Sequence, residues 1–171
     1  MRSILIDSPY RALIERAAQQ HGLPAELVAA IVQVESGGDP WATRYEPGFY
    51  DRYIVGSVPA AVRPCSRETE GRLRATSFGL LQVMGQVARE RGYKGVYLTQ
   101  LCDPALGLEY GCRHLAWTAV RLSGKGVTDY ASLCAAYNGG LGAVLKPGSY
   151  RNPEYPAKVL AALGGSWEMT A

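Results

Sequence analysis

Glu35 is the residue whose type and position point most directly to chemistry. At helical spacing, Val28, Ile31 and Glu35 fall on one side of a helix that Pro24 opens and Gly37-Gly38 ends. The carboxyl therefore shares an apolar stripe, where Glu is seldom found unless it is paired or used. Apolar surroundings disfavour a carboxylate, so such a group can hold a proton near neutral pH. A proton held that way suits a general acid in glycosidic bond cleavage. The competing reading is a helix-end Glu that turns to solvent past the two glycines.

Three further segments follow Glu35-Ser36 in the chain. They are Ser77-Phe78-Gly79-Leu80-Leu81-Gln82, Ala136-Tyr137-Asn138-Gly139-Gly140, and Glu154-Tyr155-Pro156-Ala157-Lys158-Val159. Together the four motifs resemble the soluble-lytic-transglycosylase family of lysozyme-like, peptidoglycan-cleaving enzymes, over about Leu23 to Leu163. The family pattern is a Glu-Ser at a helix end, Gly-Leu-Met-Gln, Ala-Tyr-Asn-Ala-Gly, and a late Tyr-Val. The resemblance implies that Glu35 is the catalytic acid/base, with Ser36 beside it in substrate binding. It implies that Gln82 lines the glycan groove and that Tyr137 and Asn138 close the site, Asn138 helping to hold the sugar. Tyr155 matches the late Tyr whose hydroxyl lies near the catalytic carboxyl. Each has a plainer reading: Tyr137 and Tyr155 as core aromatics, Asn138 as a helix cap, Gln82 as a solvated helix residue.

The chain departs from the family pattern at several positions. Glu35 and Gly79 are 44 positions apart, longer than the family spacing, so an insertion follows the acid. Pro40-x-Ala42 is present, but Arg44 stands where a Ser is expected. Leu81 replaces the Met, Gly139 replaces the second Ala of Ala-Tyr-Asn-Ala-Gly, and Pro156 replaces the Val. The insertion brings Glu46, Asp51, Glu68 and Glu70 near the acid in sequence. A hydrolytic muramidase normally uses two carboxyls, and Glu46 and Asp51 are the candidates for an auxiliary role, with solvated or Arg-paired charges as the alternative. The resemblance implies instead that one Glu suffices. It protonates the leaving oxygen, then as carboxylate helps the muramoyl 6-hydroxyl attack its own anomeric carbon, giving 1,6-anhydro ends. A nucleophile held within the same sugar replaces water at high effective concentration. Tyr45, Phe49, Tyr50 and Tyr53 read either as a wall of the glycan groove or as a satellite hydrophobic cluster.

The elements that must position these groups are mostly helical. Ser8-Pro9 opens a first helix that Gly22 stops, and Pro24 opens the helix of Glu35. The stretch 39–76 lacks periodicity and reads as an irregular insertion, with a small hairpin expected around Tyr53 to Val58. Helices are expected from Leu80 to Arg91, from Asp103-Pro104 to about Leu122, from about Thr128 to Tyr137, and from Pro153 to Leu163. The expectation is a single domain over residues 1–171, mainly α with minimal β, and lysozyme-like by resemblance.

Composition excludes other classes. With 171 residues, 47% hydrophobic and 19% charged, the chain is globular rather than disordered. No uncharged apolar run reaches membrane-spanning length. The two histidines lie far apart and no Cys-x-x-Cys occurs, so no metal and no cofactor is expected. No phosphate-binding loop or nucleophile elbow is present, and Gly140-Leu141-Gly142 lacks its third glycine. The net charge is +3, with 14 Arg scattered along the chain, which argues against a nucleic-acid stripe. Four cysteines allow three full pairings, and buried or partly buried thiols are expected.

The expected partner is the peptidoglycan glycan strand, met by a monomer without membrane insertion. A non-catalytic glycan-binding protein on the same scaffold is the rival from another class, disfavoured because the acid and its matching neighbours are all retained. The segment Met1-Arg2-Ser3-Ile4-Leu5-Ile6-Asp7 is too short in apolar residues for a signal peptide. Cytoplasmic synthesis followed by action on the wall fits a phage endolysin, with a virion-borne enzyme next.

Overall fold

The structure is a computed structural model and describes residues 4–5, 7–59 and 65–169. Part of the short N-terminal apolar run and residues 60–64 of the insertion lie outside these. Local capping signals account for most helix ends. Helix α1 (Arg11–His21) begins just after the Ser8-Pro9 signal, where Ser8 Oγ accepts from the Tyr10 N–H at 3.2 Å. Helix α2 (Ala25–Ser36) is apolar through its middle, with Leu27, Val28, Ala29, Ala30, Ile31 and Val32 all buried. Both ends meet solvent: Ala25 and Glu26 are half-buried in the first turn, and in the last Gln33 is exposed and Glu35 half-buried.

The described chain divides into two compact units. One, here the terminal unit, comprises the chain up to Val34 and from Cys112 onward; the central unit is Glu35–Gly111. In the central unit, β1 (Thr43–Tyr45), β2 (Thr76–Phe78) and β3 (Val83–Met84) form an antiparallel sheet in that order. Thr43 faces Phe78, Tyr45 faces Thr76, and Phe78 faces Val83. Between β1 and β2 come a single turn α3 (Pro47–Phe49), a π-helical turn (Tyr50–Ile54) and α4 (Arg67–Arg74). Helix α5 (Gly85–Glu90) and a 3-10 turn (Leu98–Cys102) follow. Phe78, Val83, Ala88, Tyr93, Leu98 and Leu101 make this unit's principal core cluster.

Helix α6 (Pro104–Ser123) opens where expected, with Asp103 Oδ1 accepting from the Leu106 N–H at 3.0 Å. The terminal unit, which takes α6 from Cys112 onward, holds α7 (Tyr130–Gly139), a hairpin of β4 (Val144–Lys146) and β5 (Ser149–Tyr150), and α8 (Glu154–Ala162), which packs on α7. The architecture is mainly helical with two small sheets, as expected.

Three expectations are corrected. The helix predicted from Leu80 begins only at Gly85, because Gly79 to Gln82 form the turn of a hairpin. Leu80, Leu81 and Val83 are all buried, but as turn and strand residues rather than as one helix face. The hairpin predicted at Tyr53 to Val58 is absent among the described residues, replaced by the π-helical turn whose Ile54 is buried with Val58 and Ala75. The insertion is also more ordered than its lack of periodicity implies. Helix α4 has a recognisable start, Ser66 Oγ accepting from the Thr69 N–H at 3.0 Å, but no apolar stripe, since it buries only Glu70 and Gly71. All four cysteines are thiols: Cys102, Cys112 and Cys134 are buried and Cys65 is half-buried. Burial pushes the Cys134 thiol up to about 12, which leaves it unreactive at neutral pH.

Candidate active site

In the central unit, the end of α2 is fastened to the hairpin turn that follows β2. Ser36 Oγ donates to the Leu80 carbonyl at 2.9 Å and accepts from the Gly38 N–H at 3.2 Å. The turn itself is clamped. The Ala42 carbonyl accepts from the Gly79 N–H at 2.8 Å and from Gln82 Nε2 at 2.9 Å, and Gln82 Nε2 also donates to the Gly79 carbonyl at 3.0 Å. Gln82 adopts φ 45°, a left-handed conformation unusual for a residue with a side chain. Its amide nitrogen is thus spent bracing two backbone carbonyls, and the Glu35-Ser36 helix end is pinned against that braced turn.

Gly79 is the keystone of the turn. Its φ is +69°, and a Cβ there would lie 2.6 Å from the Leu101 carbonyl oxygen. Gly79→Ala is therefore expected to cost about 2–4 kcal/mol from left-handed strain and overpacking together. Urea denaturation of the purified variant measures this, and a loss below about 1 kcal/mol would contradict the close approach described.

The insertion carboxylates occupy different settings. Glu46 precedes α3 and is paired with Arg44, the residue standing where the family pattern has Ser. Asp51 is exposed on the π-helical turn. Glu68 pairs with Arg72 on the surface of α4 at 3.0 Å. Glu70 is buried, its side chain 1% exposed, and is held by Arg74 at 3.0 Å and Arg89 at 2.9 Å. Phe49 and Tyr50 pack on the Ile54 cluster, the satellite-core role, whereas Tyr45 and Tyr53 are exposed. Trp41, not singled out from the sequence, is 75% exposed on the loop that Asp39 Oδ1 stiffens by accepting the Trp41 N–H at 2.8 Å. Its place between Pro40 and Ala42, inside the motif, was the available signal.

In the terminal unit, α7 presents the Tyr137-Asn138 pair at its C-terminal end. The helix starts at Asp129, whose carboxylate accepts from the Ser132 N–H at 2.8 Å and the Ser132 hydroxyl at 2.7 Å. Partial burial opposes ionisation of Asp129, but these bonds and one from the Tyr150 hydroxyl outweigh it and hold the carboxyl below the usual aspartate range. Tyr137 is half-buried with its ring 5.7 Å from that of His114. Asn138 is exposed, and its Oδ1 accepts from Asn152 Nδ2 at 2.8 Å. Tyr155 is buried on α8, 6% exposed. The structure therefore joins Ser36 and Gln82 through one turn, and places Tyr137, Asn138 and Tyr155 on two packed helices. Asn152 was missed because its partners lie 14 and 17 residues away in sequence.

The family model described as Transglycosylase SLT domain matches residues 12–159, so the chain belongs to that family. The membrane-bound lytic murein transglycosylase C of Haemophilus influenzae is 29% identical over 147 residues, covering 80% of this chain and 33% of that protein. The chain thus spans about a third of the length of the curated relatives it matches. Among solved structures, the lytic transglycosylase Slt of Pseudomonas aeruginosa, in an inactive Glu-to-Gln mutant, superposes with a TM-score of 0.62 at 22% identity. That match covers 91% of this chain and 23% of the other. A Burkholderia AP3 phage endolysin superposes with a TM-score of 0.59 at 23% identity, covering 90% of this chain and 68% of the endolysin. The fold is the mainly helical, lysozyme-like fold of these proteins.

Proposed function

We propose that this chain is a peptidoglycan lytic transglycosylase that cleaves the β-1,4 bond between N-acetylmuramic acid and N-acetylglucosamine. Glu35 gives its proton to the glycosidic oxygen as the bond to the anomeric carbon breaks. The resulting carboxylate takes the proton of the muramoyl 6-hydroxyl as that oxygen closes on the anomeric carbon, leaving a 1,6-anhydro end and a restored acid. The observation that carries this reading is the carboxyl itself, at the end of a helix buried from Leu27 to Val32 and locked by Ser36 to the Gly79–Gln82 turn. The family match across both units supports treating residues 12–159 as one catalytic domain. The Pseudomonas relative, inactive with a glutamate changed to glutamine, supports a carboxyl as the essential group.

Glu46, tied to Arg44, and Asp51, on an exposed turn, are poor candidates for the second carboxyl of a hydrolase. Ser36, Tyr137, Asn138 and Tyr155 are proposed to hold the glycan, while Gln82 contributes by shaping the turn. We read the biological setting as bacterial lysis, in keeping with the endolysin likeness; no helix among the described residues is long and apolar enough to cross a membrane. Mass analysis of muropeptides released from purified peptidoglycan tests the chemistry. Anhydro ends, lighter by one water than reducing ends, are expected; reducing ends alone would assign hydrolysis instead.

A further inference from the structure

We propose that Asn152 is a positioning residue that fixes the side-chain amide of Asn138 with its NH2 group turned outward, as a hydrogen-bond donor to the glycan. This deepens the reading of Asn138 as a sugar-holding residue and rests on it. Asn152 Nδ2 makes two contacts, to the Ala135 carbonyl at 3.1 Å and to Asn138 Oδ1 at 2.8 Å. A backbone carbonyl can only accept, so the first contact settles which end of the Asn152 amide points at α7. The group Asn138 offers to that nitrogen must then be its oxygen, which leaves its two N–H donors without a protein acceptor among the described residues.

Asn152 is itself held from both sides. The Arg151 N–H donates to the Ala143 carbonyl at 2.9 Å and the Tyr155 N–H to the Asn152 carbonyl at 3.1 Å. Its own Oδ1 is buried without a hydrogen-bond partner. The same contact explains a departure from the family pattern. A Cβ on Gly139 would lie 2.8 Å from Ala143 Cβ and 3.1 Å from Asn152 Nδ2. The Ala that the pattern has at this position would press mainly on Ala143 and crowd Asn152 by a few tenths of an ångström, so Gly139 leaves room for the contact between Asn152 and Asn138.

A double-mutant cycle tests this, read as initial rates of solubilisation of purified peptidoglycan over a range of substrate concentrations, with melting temperatures in parallel. Asn138→Ala should lower kcat/KM about tenfold, the size of one lost hydrogen bond to the transition state. Asn152→Ala and the isosteric Asn152→Asp, which cannot donate, should each lower it by a similar factor. The decisive readout is the double variant Asn138→Ala/Asn152→Ala, expected within about twofold of Asn138→Ala alone, because Asn152 has nothing left to orient. Losses that multiply to about a hundredfold would assign Asn152 a structural role only and overturn the proposal. Wild-type rates in both Asn152 variants, with Asn138→Ala impaired, would overturn it as well while sparing the role of Asn138. A wild-type rate in Asn138→Ala would instead remove the underlying reading, and the proposal with it.

Discussion

Replacing Glu35 by Gln should abolish measurable solubilisation of purified peptidoglycan while leaving the melting temperature essentially unchanged. The substitution keeps the shape of the side chain and removes only the transferable proton. In the proposed cycle the same group gives a proton and then takes one, so both halves of the reaction lose their catalyst. General acid/base assistance is worth about 10²–10⁴-fold, and a loss in that range or beyond is expected. The fold should tolerate the change, because Glu35 is half-buried in the last turn of α2 and the Ser36 bond to Leu80 that anchors this helix end is untouched. A Glu35→Gln variant that clears peptidoglycan within tenfold of the parent rate would reject Glu35 as the acid.

The second large effect concerns stability rather than chemistry. Glu70→Ala should destabilise the protein by about 3–5 kcal/mol, because it leaves two largely buried guanidinium groups without their counter-ion. Arg74 and Arg89 both reach Glu70, at 3.0 and 2.9 Å, and their side chains are only 16% and 17% exposed. Arg89 is also the hub of its region, donating to the carbonyls of Tyr93 at 3.0 Å and Gly95 at 2.8 Å, and lying over the Tyr93 ring. At about 2–4 °C per kcal/mol for a chain of this size, the expected fall in melting temperature is roughly 6–20 °C. Glu68→Ala is the internal control. Its pairing with Arg72 is on the surface, and such pairs contribute about 0–1 kcal/mol. Equal melting temperatures for the two variants would show that the Glu70 cluster is not a stabilising centre.

Glu70 also marks the limit of reading this chain in one dimension. Among the four insertion carboxylates, the sequence singles out Glu46 and Asp51 for an auxiliary role and gives Glu70 no distinguishing mark. Its burial depends on Arg89, 19 residues further on, and no local pattern encodes that meeting. The misplaced helix at Leu80 has a similar origin. Leu80, Leu81 and Val83 carry an apolar signal that suits a helix face, but Gly79 and Gln82 take left-handed backbone conformations and turn the chain back into a strand.

Other features were legible from local chemistry. The Asp103-Pro104 and Pro24 starts, the Gly22 stop and the helix carrying Glu35 rest on contacts within a few residues, which sequence states directly. The order of the four motifs likewise points to the family whose model matches residues 12–159.

By itself, then, the sequence determined the helical class, the family and the placing of one carboxyl at the end of an apolar helix. Each of these depends on periodicity, caps or motif order, which are properties of neighbouring residues. Only the tertiary structure decided that Gln82 braces a turn, that Asn152 reaches Asn138, and that Glu70 is a buried hub. Their partners lie 40, 14 and 19 residues away, and contacts at that range are set by how the elements pack rather than by any pattern along the chain.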